Sequence, residues 1–460
     1  MKKILAMILA LCMLATLCAC ASQTPSSSAA SSSSTASSSS AASSSSAASS
    51  SSSAAASSEK QHQNVVVDCY IIATEWGDAF SEIESRFEKK YPWVDIQGIA
   101  RGSDSTEYLT AAIASKTLPD LICVDNDELH RTMVDDGLME DFNQFECSKQ
   151  IPQAYKDAFT YKNILMAETY GAAFSCMFYN MQILNKAGWT AAPTNWEELI
   201  QCCKDVKEKT GVAPFTVAAG KTTTSWMLFE LLIANVCGDE LGAGVYEEAF
   251  KKGTFEFNKY PGIVEKFNEL QPYILTGSSN ATEDDVTAYM TDGQAAMCLA
   301  GNWNGKQILD GIAECTGDAK LAAASLPCFN DKGKTAWISA TAETGMGVTK
   351  DDKRTDDEKE AIDLFVNFFW DPENYKVIQN TAGNVPVVPM PAGAVVLADQ
   401  MVPLVPLMGK APFVTMGFNL WSSEFKDAAN RDLQDCIAGL ANIQDAVNDM
   451  TTLVKTSHKE

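Results

Sequence analysis

Residues 64–73 read NVVVDCYIIA, and residues 77–100 read GDAFSEIESRFEKKYPWVDIQGIA. The first run is rich in β-branched residues and suits a buried strand. In the second, Phe80, Ile83, Phe87 and Tyr91 recur at spacings of three and four, which predicts a helix over Gly77 to Tyr91. Pro92 stops it, because proline lacks the N–H that the helix ladder needs. Val94 to Ala100 reads as a second strand, Tyr108 to Ser115 as a helix, and Asp120 to Val124 as a third strand. This alternation implies a parallel sheet with right-handed crossovers. Ligands bind such sheets outside the carboxyl ends of the strands. The loops after Ala73 and after Val124 are therefore the first places to look for a site.

Further along, Thr194 or Asn195 is placed to cap a helix over Leu199 to Thr210, with Glu198 completing a capping box and Gly211 ending it. A long helix is expected over Trp226 to Cys237. Residues 357–370 and 373–380 read as two helices split by Asp371-Pro372, and Glu424 to Thr456 as helix broken near Gly439.

Working back to the start, the chain changes character. Lys2 and Lys3 precede an apolar run, Ile4 to Ala19. At 16 residues it is shorter than the roughly 20 that span a bilayer, and it reads as a secretory signal. Residues 26–58 are Ser and Ala apart from Thr35. Serine competes for backbone hydrogen bonds, and nothing here is large enough to bury, so a coil spanning on the order of 30 Å is expected. No charged residue occurs from Ile4 to Ser58. The whole chain carries 35 basic and 59 acidic residues, a net −24; without Lys2 and Lys3, residues 59–460 carry −26. Such acidity repels phosphate backbones and excludes nucleic acid as a partner. Three histidines, His62, His130 and His458, argue against a His-rich metal site or a His relay.

Eleven of the 14 cysteines lie beyond Cys20, an odd number that cannot all pair within the chain. Cys69, Cys123 and Cys298 sit in apolar runs, where cysteine acts as a small hydrophobe. Cys202 and Cys203 are adjacent on the expected helix and point about 100° apart, too far for an unstrained mutual bridge. No CxxC pair occurs, so zinc-ribbon and thioredoxin readings lack support. Most of these thiols are expected to be reduced core residues.

Several segments together carry a resemblance. Leu17-Cys18-Ala19-Cys20 resembles the bacterial lipobox. Phe87-Glu-Lys-Lys-Tyr-Pro92, Ile113-Ala-Ser-Lys-Thr-Leu-Pro-Asp-Leu121, Asp136-Gly-Leu-Met-Glu-Asp-Phe142 and Phe178-Tyr-Asn180 follow in order. Leu184 to Phe215, with KAGW, PTNWEEL and KEKTGVAPF, is the most specific stretch. Met290 to Trp303 and Ala361 to Val387, ending in Ala382-Gly-Asn-Val-Pro386, complete the set. Over 64–460 the chain resembles the extracellular solute-binding proteins of ABC importers, in the sugar-binding group that includes maltose-binding protein. Two departures stand out. Ala340-Thr-Ala-Glu343 replaces a usual Gly-Gly, and the Ser-, Asn- and acid-rich 276–286 loop has no counterpart.

The resemblance implies an α/β fold of two lobes with the ligand cleft between them and a hinge of two or three crossovers. It divides the chain into a signal peptide (1–19), a lipidated Cys20 with a disordered linker (20–58), lobe one (64–173 plus 336–390) and lobe two (174–335 plus 391–460). A sugar presents a C–H face, on which aromatic rings stack, and a rim of hydroxyls, which carboxylates and amides pair with. Trp303 matches the family's stacking tryptophan, Trp421 the place of a second ring, and Trp226 that of an aromatic ligand contact. Asn302 pairs with Trp303, Trp337 follows the expected crossover, and Glu343 lies on the return to lobe one. The switch-point argument adds Glu75, Trp76 and Asp78 in the loop after the first strand, and Asp125 and Asp127 after the third. Arg101 is expected in solvent, and Trp93, Trp189, Trp196 and Trp370 in packing roles.

The function so implied is capture of a carbohydrate, expected to be an oligosaccharide, and its delivery to ABC permease subunits. The protein would be a monomer without cofactor or metal, held on the outer face of a Gram-positive-type cell membrane through its lipid alone. A binding protein for a polyamine or peptide is the alternative, and a module presenting ligand to a membrane sensor is a third class. Paired carboxylates in an aromatic cleft also describe a glycosidase. Against that, the chain has no G-x-S-x-G, no H-E-x-x-H and no Walker loop.

Overall fold

The computed structural model describes residues 61–460, except 74, 75, 77, 102–104, 221–225, 343, 384, 387–389, 391–396, 409–410, 417–420 and 457–460. The expected signal segment, Cys20 and the Ser/Ala stretch lie outside the described residues, as do Glu75 and Glu343. No described helix is long and apolar enough to cross a membrane.

The opening stretch folds as its pattern predicts. Strand β1 (Val65–Ile72) is followed by α1 (Ala79–Lys90), β2 (Val94–Ala100), α2 (Ser105–Ser115), β3 (Leu121–Val124) and α3 (Glu128–Asp135). Helix α1 buries Ala79, Phe80, Ile83 and Phe87 on one face. β1 pairs in parallel with β2, Val65 opposite Val94, and with β3, Cys69 opposite Leu121. The chain then adds β4 (Glu168–Thr169) and enters a second sheet through β5 (Ala172–Asn180). That half contains α4 (Trp196–Thr210), β6 (Ala213–Val217), α5 (Met227–Leu241), α6 (Glu283–Thr291), β7 (Ala295–Gly301), α7 (Gly305–Thr316), β8 (Ala322–Ser325) and β9 (Ile338–Ala342). β10 (Gly345–Val348), α8 (Asp356–Phe369) and α9 (Pro372–Ala382) return to the first half. β11 (Phe413–Thr415), α10 (Ser423–Ile437) and α11 (Ile443–Thr456) finish the second.

The first sheet runs β2-β1-β3-β10-β4; the second runs β11-β9-β5-β7-β6, with β8 also on β5. Each has its own core, and the second sheet is apolar on both faces. Phe174, Cys176 and Phe178 of β5 enter one cluster while Ala173, Met177 and Tyr179 enter the other, the alternation of a strand covered on both sides. The chain passes between the sheets after Thr169, after Ala342, and again beyond α9, where Val385 bridges Ala172.

Residues Ile338–Ala342, placed with lobe one on sequence grounds, lie in the second sheet. Ala340 pairs with Phe174 of β5, and Ile338 with Phe413 of β11. The chain rejoins the first sheet at Gly345, where a Cβ would come within 2.4 Å of the Glu168 carbonyl oxygen, so only glycine fits between β3 and β4.

Local signals hold at several helix ends. The Asn195 side chain accepts from the Glu198 N–H, while a Glu198 carboxylate oxygen accepts from the Thr194 N–H and hydroxyl. Gly211 ends α4 at φ 72°, and Gly439 turns the chain between α10 and α11 at φ 73°. Eleven cysteines beyond Cys20 are free thiols, ten of them buried and Cys315 exposed.

Candidate functional site

The carboxyl ends of β2 and β3 carry a compact polar group. Arg101 follows β2, and its guanidinium meets the Asp125 carboxylate at 3.2 Å and donates to the Thr344 hydroxyl at 3.3 Å. The Thr344 hydroxyl in turn donates to the other Asp125 oxygen at 2.6 Å. Arg101 is thus half-buried in an ion pair rather than in solvent as expected, because Asp125 follows β3, on the far side of β1 at the same end of the sheet.

The next residues of this loop hold it in place. Asn126 accepts from Arg131 at 3.1 Å and donates to the Ala158 carbonyl. Asp127 caps α3 by accepting from the His130 N–H. It also meets the His130 ring Nδ1 at 2.8 Å, while the ring Nε2 lies 3.1 Å from the Cys123 carbonyl oxygen. A carboxylate and a carbonyl only accept, so the two contacts suit a ring protonated at both nitrogens, the imidazolium form. Burial pushes the Asp127 carboxyl up, but the hydrogen bond and charge of His130, with a smaller pull from Lys426, bring it down to about 2. Burial disfavours the His130 cation, yet Asp127, aided by Asp125 and the Cys123 carbonyl, raises its pKa. Lys426 comes from α10 of the second lobe, so its charge acts on this loop from the other half of the molecule.

In the second lobe the parallel strands β6 and β7 end side by side. Trp303 follows β7, half-buried, with its indole Nε1 donating to a Glu283 carboxylate oxygen at 2.9 Å. The Asn304 amide donates to the same oxygen at 3.1 Å. The ring lies over Gly301, where a Cβ would come within 2.3 Å of it. Asn302 beside it is fully buried. It accepts from the Phe174 N–H at 2.7 Å and donates to the Ala172 carbonyl at 2.9 Å, tying the end of β7 to the start of β5.

The other candidate tryptophans are enclosed. Trp76 is 1 % exposed and packs edge-on against Tyr170, ring centroids 4.8 Å apart. Trp226 and Trp421 do come together, centroids 5.5 Å apart, inside an aromatic cluster with Phe250 and Phe425. Trp337 is wedged against α5: its ring covers Gly238, and its Nε1 donates to Asp239 at 2.8 Å. Asp78 is exposed at the start of α1.

Four participants were not singled out from sequence as site residues: Arg101, Thr344, Glu283 and Asn304. Arg101 was accessible to the switch-point argument, being the first residue beyond β2. Glu283 was signalled by Thr282-x-x-Asp285, a capping box that starts a helix within the unplaced 276–286 segment.

The model of the family described as bacterial extracellular solute-binding protein matches residues 73–376. An uncharacterised ABC transporter extracellular-binding protein of Pyrococcus horikoshii is 25 % identical over 242 residues, 49 % of this chain and 52 % of that one. The chain thus spans about half the length of that curated relative. Among solved structures, a chitin oligosaccharide binding protein superposes with a TM-score of 0.73 at 18 % identity, covering 86 % of this chain and 99 % of that one. The solute-binding protein RafE in complex with raffinose gives 0.71 at 17 %, covering 86 % and 100 %. Maltose-bound MalE3 of T. maritima gives 0.69 at 16 %, covering 85 % and 100 %. The fold is therefore the two-lobed α/β fold of periplasmic-binding-protein-like structures.

Proposed function

The chain belongs to the bacterial extracellular solute-binding proteins, and we propose that within this family it captures an oligosaccharide outside the cell and delivers it to the permease of an ABC importer. The observation that carries the reading is the Trp303 ring, held at the carboxyl ends of β6 and β7 with Glu283 and Asn304 at its edge. A flat apolar surface bordered by a carboxylate and an amide matches a sugar, whose C–H face needs a ring and whose hydroxyls need acceptors and donors. Arg101, Asp125 and Thr344 supply a second polar group at the ends of the other sheet. A ligand touching both lobes favours the closed state, because only that state offers both sets of contacts. The binding step needs no covalent chemistry, and the protein acts as a carrier rather than an enzyme. Acylation at Cys20 would hold it on the outer face of the membrane, with 20–58 as a leash.

Relatives named for chitin oligosaccharide, raffinose and maltose supply the first probes. A sugar at 100 times its Kd adds about 2.7 kcal/mol, which for a chain of this size is a Tm rise of about 3 °C. A thermal-shift screen should give such a rise with at least one oligosaccharide, abolished in Trp303→Ala. A rise with spermidine and none with any sugar would replace this reading with the polyamine one.

A further inference from the structure

The 276–286 segment is built into the site, and its Glu283 is placed to control the ring beside it. Its first half is fastened to the end of β6. The Ala219 N–H donates to the Ser278 carbonyl at 3.1 Å, the Gly220 N–H to the Ala281 carbonyl at 2.8 Å, and the Thr216 and Ser278 hydroxyls lie 2.9 Å apart. At Gly220 a Cβ would come within 2.7 Å of the Ala281 carbonyl oxygen, so the contact is made backbone to backbone.

Its second half opens α6 with the cap supplied by other residues. Thr282 accepts from the Asp285 N–H at 3.2 Å, and Asp285 accepts from the Thr282 N–H and hydroxyl, each at 2.9 Å. Glu283 is therefore not needed to start the helix. One of its oxygens instead receives both the Trp303 indole and the Asn304 amide. With the ring lying over Gly301 and its edge held by Glu283, both its plane and its direction are set.

We propose that Glu283 is a positioning residue for Trp303, and that the 276–286 segment thereby sets the specificity of the stacking subsite. The inference rests on the reading of Trp303 as the ligand platform. A misoriented ring loses its alignment with the C–H face of the sugar while the fold persists, so the effect should fall on affinity more than on stability.

The test compares Glu283→Ala, Glu283→Gln, Trp303→Ala and Glu283→Ala/Trp303→Ala in the full chain, by calorimetric titration with maltose, raffinose and chito-oligosaccharides. Glu283→Ala should weaken the best sugar at least tenfold. Glu283→Gln, whose amide oxygen can accept the same two hydrogen bonds, should restore affinity to within threefold. In the Trp303→Ala background the Glu283 change should add nothing. A second readout needs no ligand: acrylamide quenching of Trp303, taken as the difference from Trp303→Phe, should rise in Glu283→Ala. Native affinity in Glu283→Ala, with Trp303→Ala inactive, would overturn the positioning role and leave the sugar reading standing. If Trp303→Ala binds normally, or no sugar binds the native chain, the sugar-site reading falls. Unchanged quenching in Glu283→Ala then also overturns the clamp, and raised quenching supports it.

Discussion

His130 and Asp127 give the molecule a stability plateau with two defined edges. Removing the imidazole by His130→Gln leaves the Asp127 carboxylate, whose side chain is only 14 % exposed, without its closest cationic partner. The acid edge follows from Asp127. Its carboxyl is lowered from 3.8 to about 2, so the folded state gains stability above the unfolded value, and this is lost as pH falls toward 2. A depression of about 2 units corresponds to about 2–3 kcal/mol. The alkaline edge follows from His130, whose pKa is raised in the folded state. Its contribution is complete below the unfolded value of 6.5 and is lost as pH rises through the folded value. Both edges describe one interaction, so the two losses are not added. Urea unfolding of the native chain and of His130→Gln from pH 3 to pH 9 should show a difference of about 2–3 kcal/mol near pH 5 that shrinks toward both ends. An equal difference at pH 5 and pH 9 would refute the charged-pair reasoning. So would a nitrogen-15 spectrum showing His130 as a neutral tautomer at pH 6.

Trp226 and Trp303 should separate by phenotype. Trp226→Ala opens a cavity in the aromatic cluster and should cost about 3–5 kcal/mol in urea unfolding, whereas Trp303→Ala should mainly lose sugar affinity. Glu168, buried on β4 where it pairs with β10, makes no hydrogen bond through either carboxylate oxygen among the described residues. Burial raises its pKa to about 9, so the folded state holds it neutral while the unfolded state ionises above 4.5. Native stability should therefore fall between those values, and Glu168→Gln should raise Tm at pH 7 and flatten that slope. Asn302→Ala should destabilise the hinge end of β5 by about 2–4 kcal/mol, since it leaves a buried N–H and carbonyl without the partner they share. Cys20→Ala should release the chain from the membrane fraction and remove its acyl label.

What the sequence made legible follows from how local each signal is. The spacing of Phe80, Ile83 and Phe87 sees only one helix face, and that face is buried as expected. Asn195, Gly211 and Gly439 act on their own turns, so their positions survive into the structure. The return of the chain to the first sheet was read too early because Ile338–Ala342 is a strand in either lobe. Its address is decided by Phe174 and Phe413, which are distant in sequence. The tryptophans show the same limit more sharply. Trp76, Trp226 and Trp421 are enclosed by Tyr170, Phe250 and Phe425, none of which is marked in sequence as their partner. Trp303 differs in having Gly301 beneath it and Glu283 at its edge. Gly301 is two residues away and was visible; Glu283 lies twenty residues upstream and was not. A stacking ring is thus specified less by its own residue type than by what fixes its plane. Here that information sits in the segment for which no counterpart could be placed.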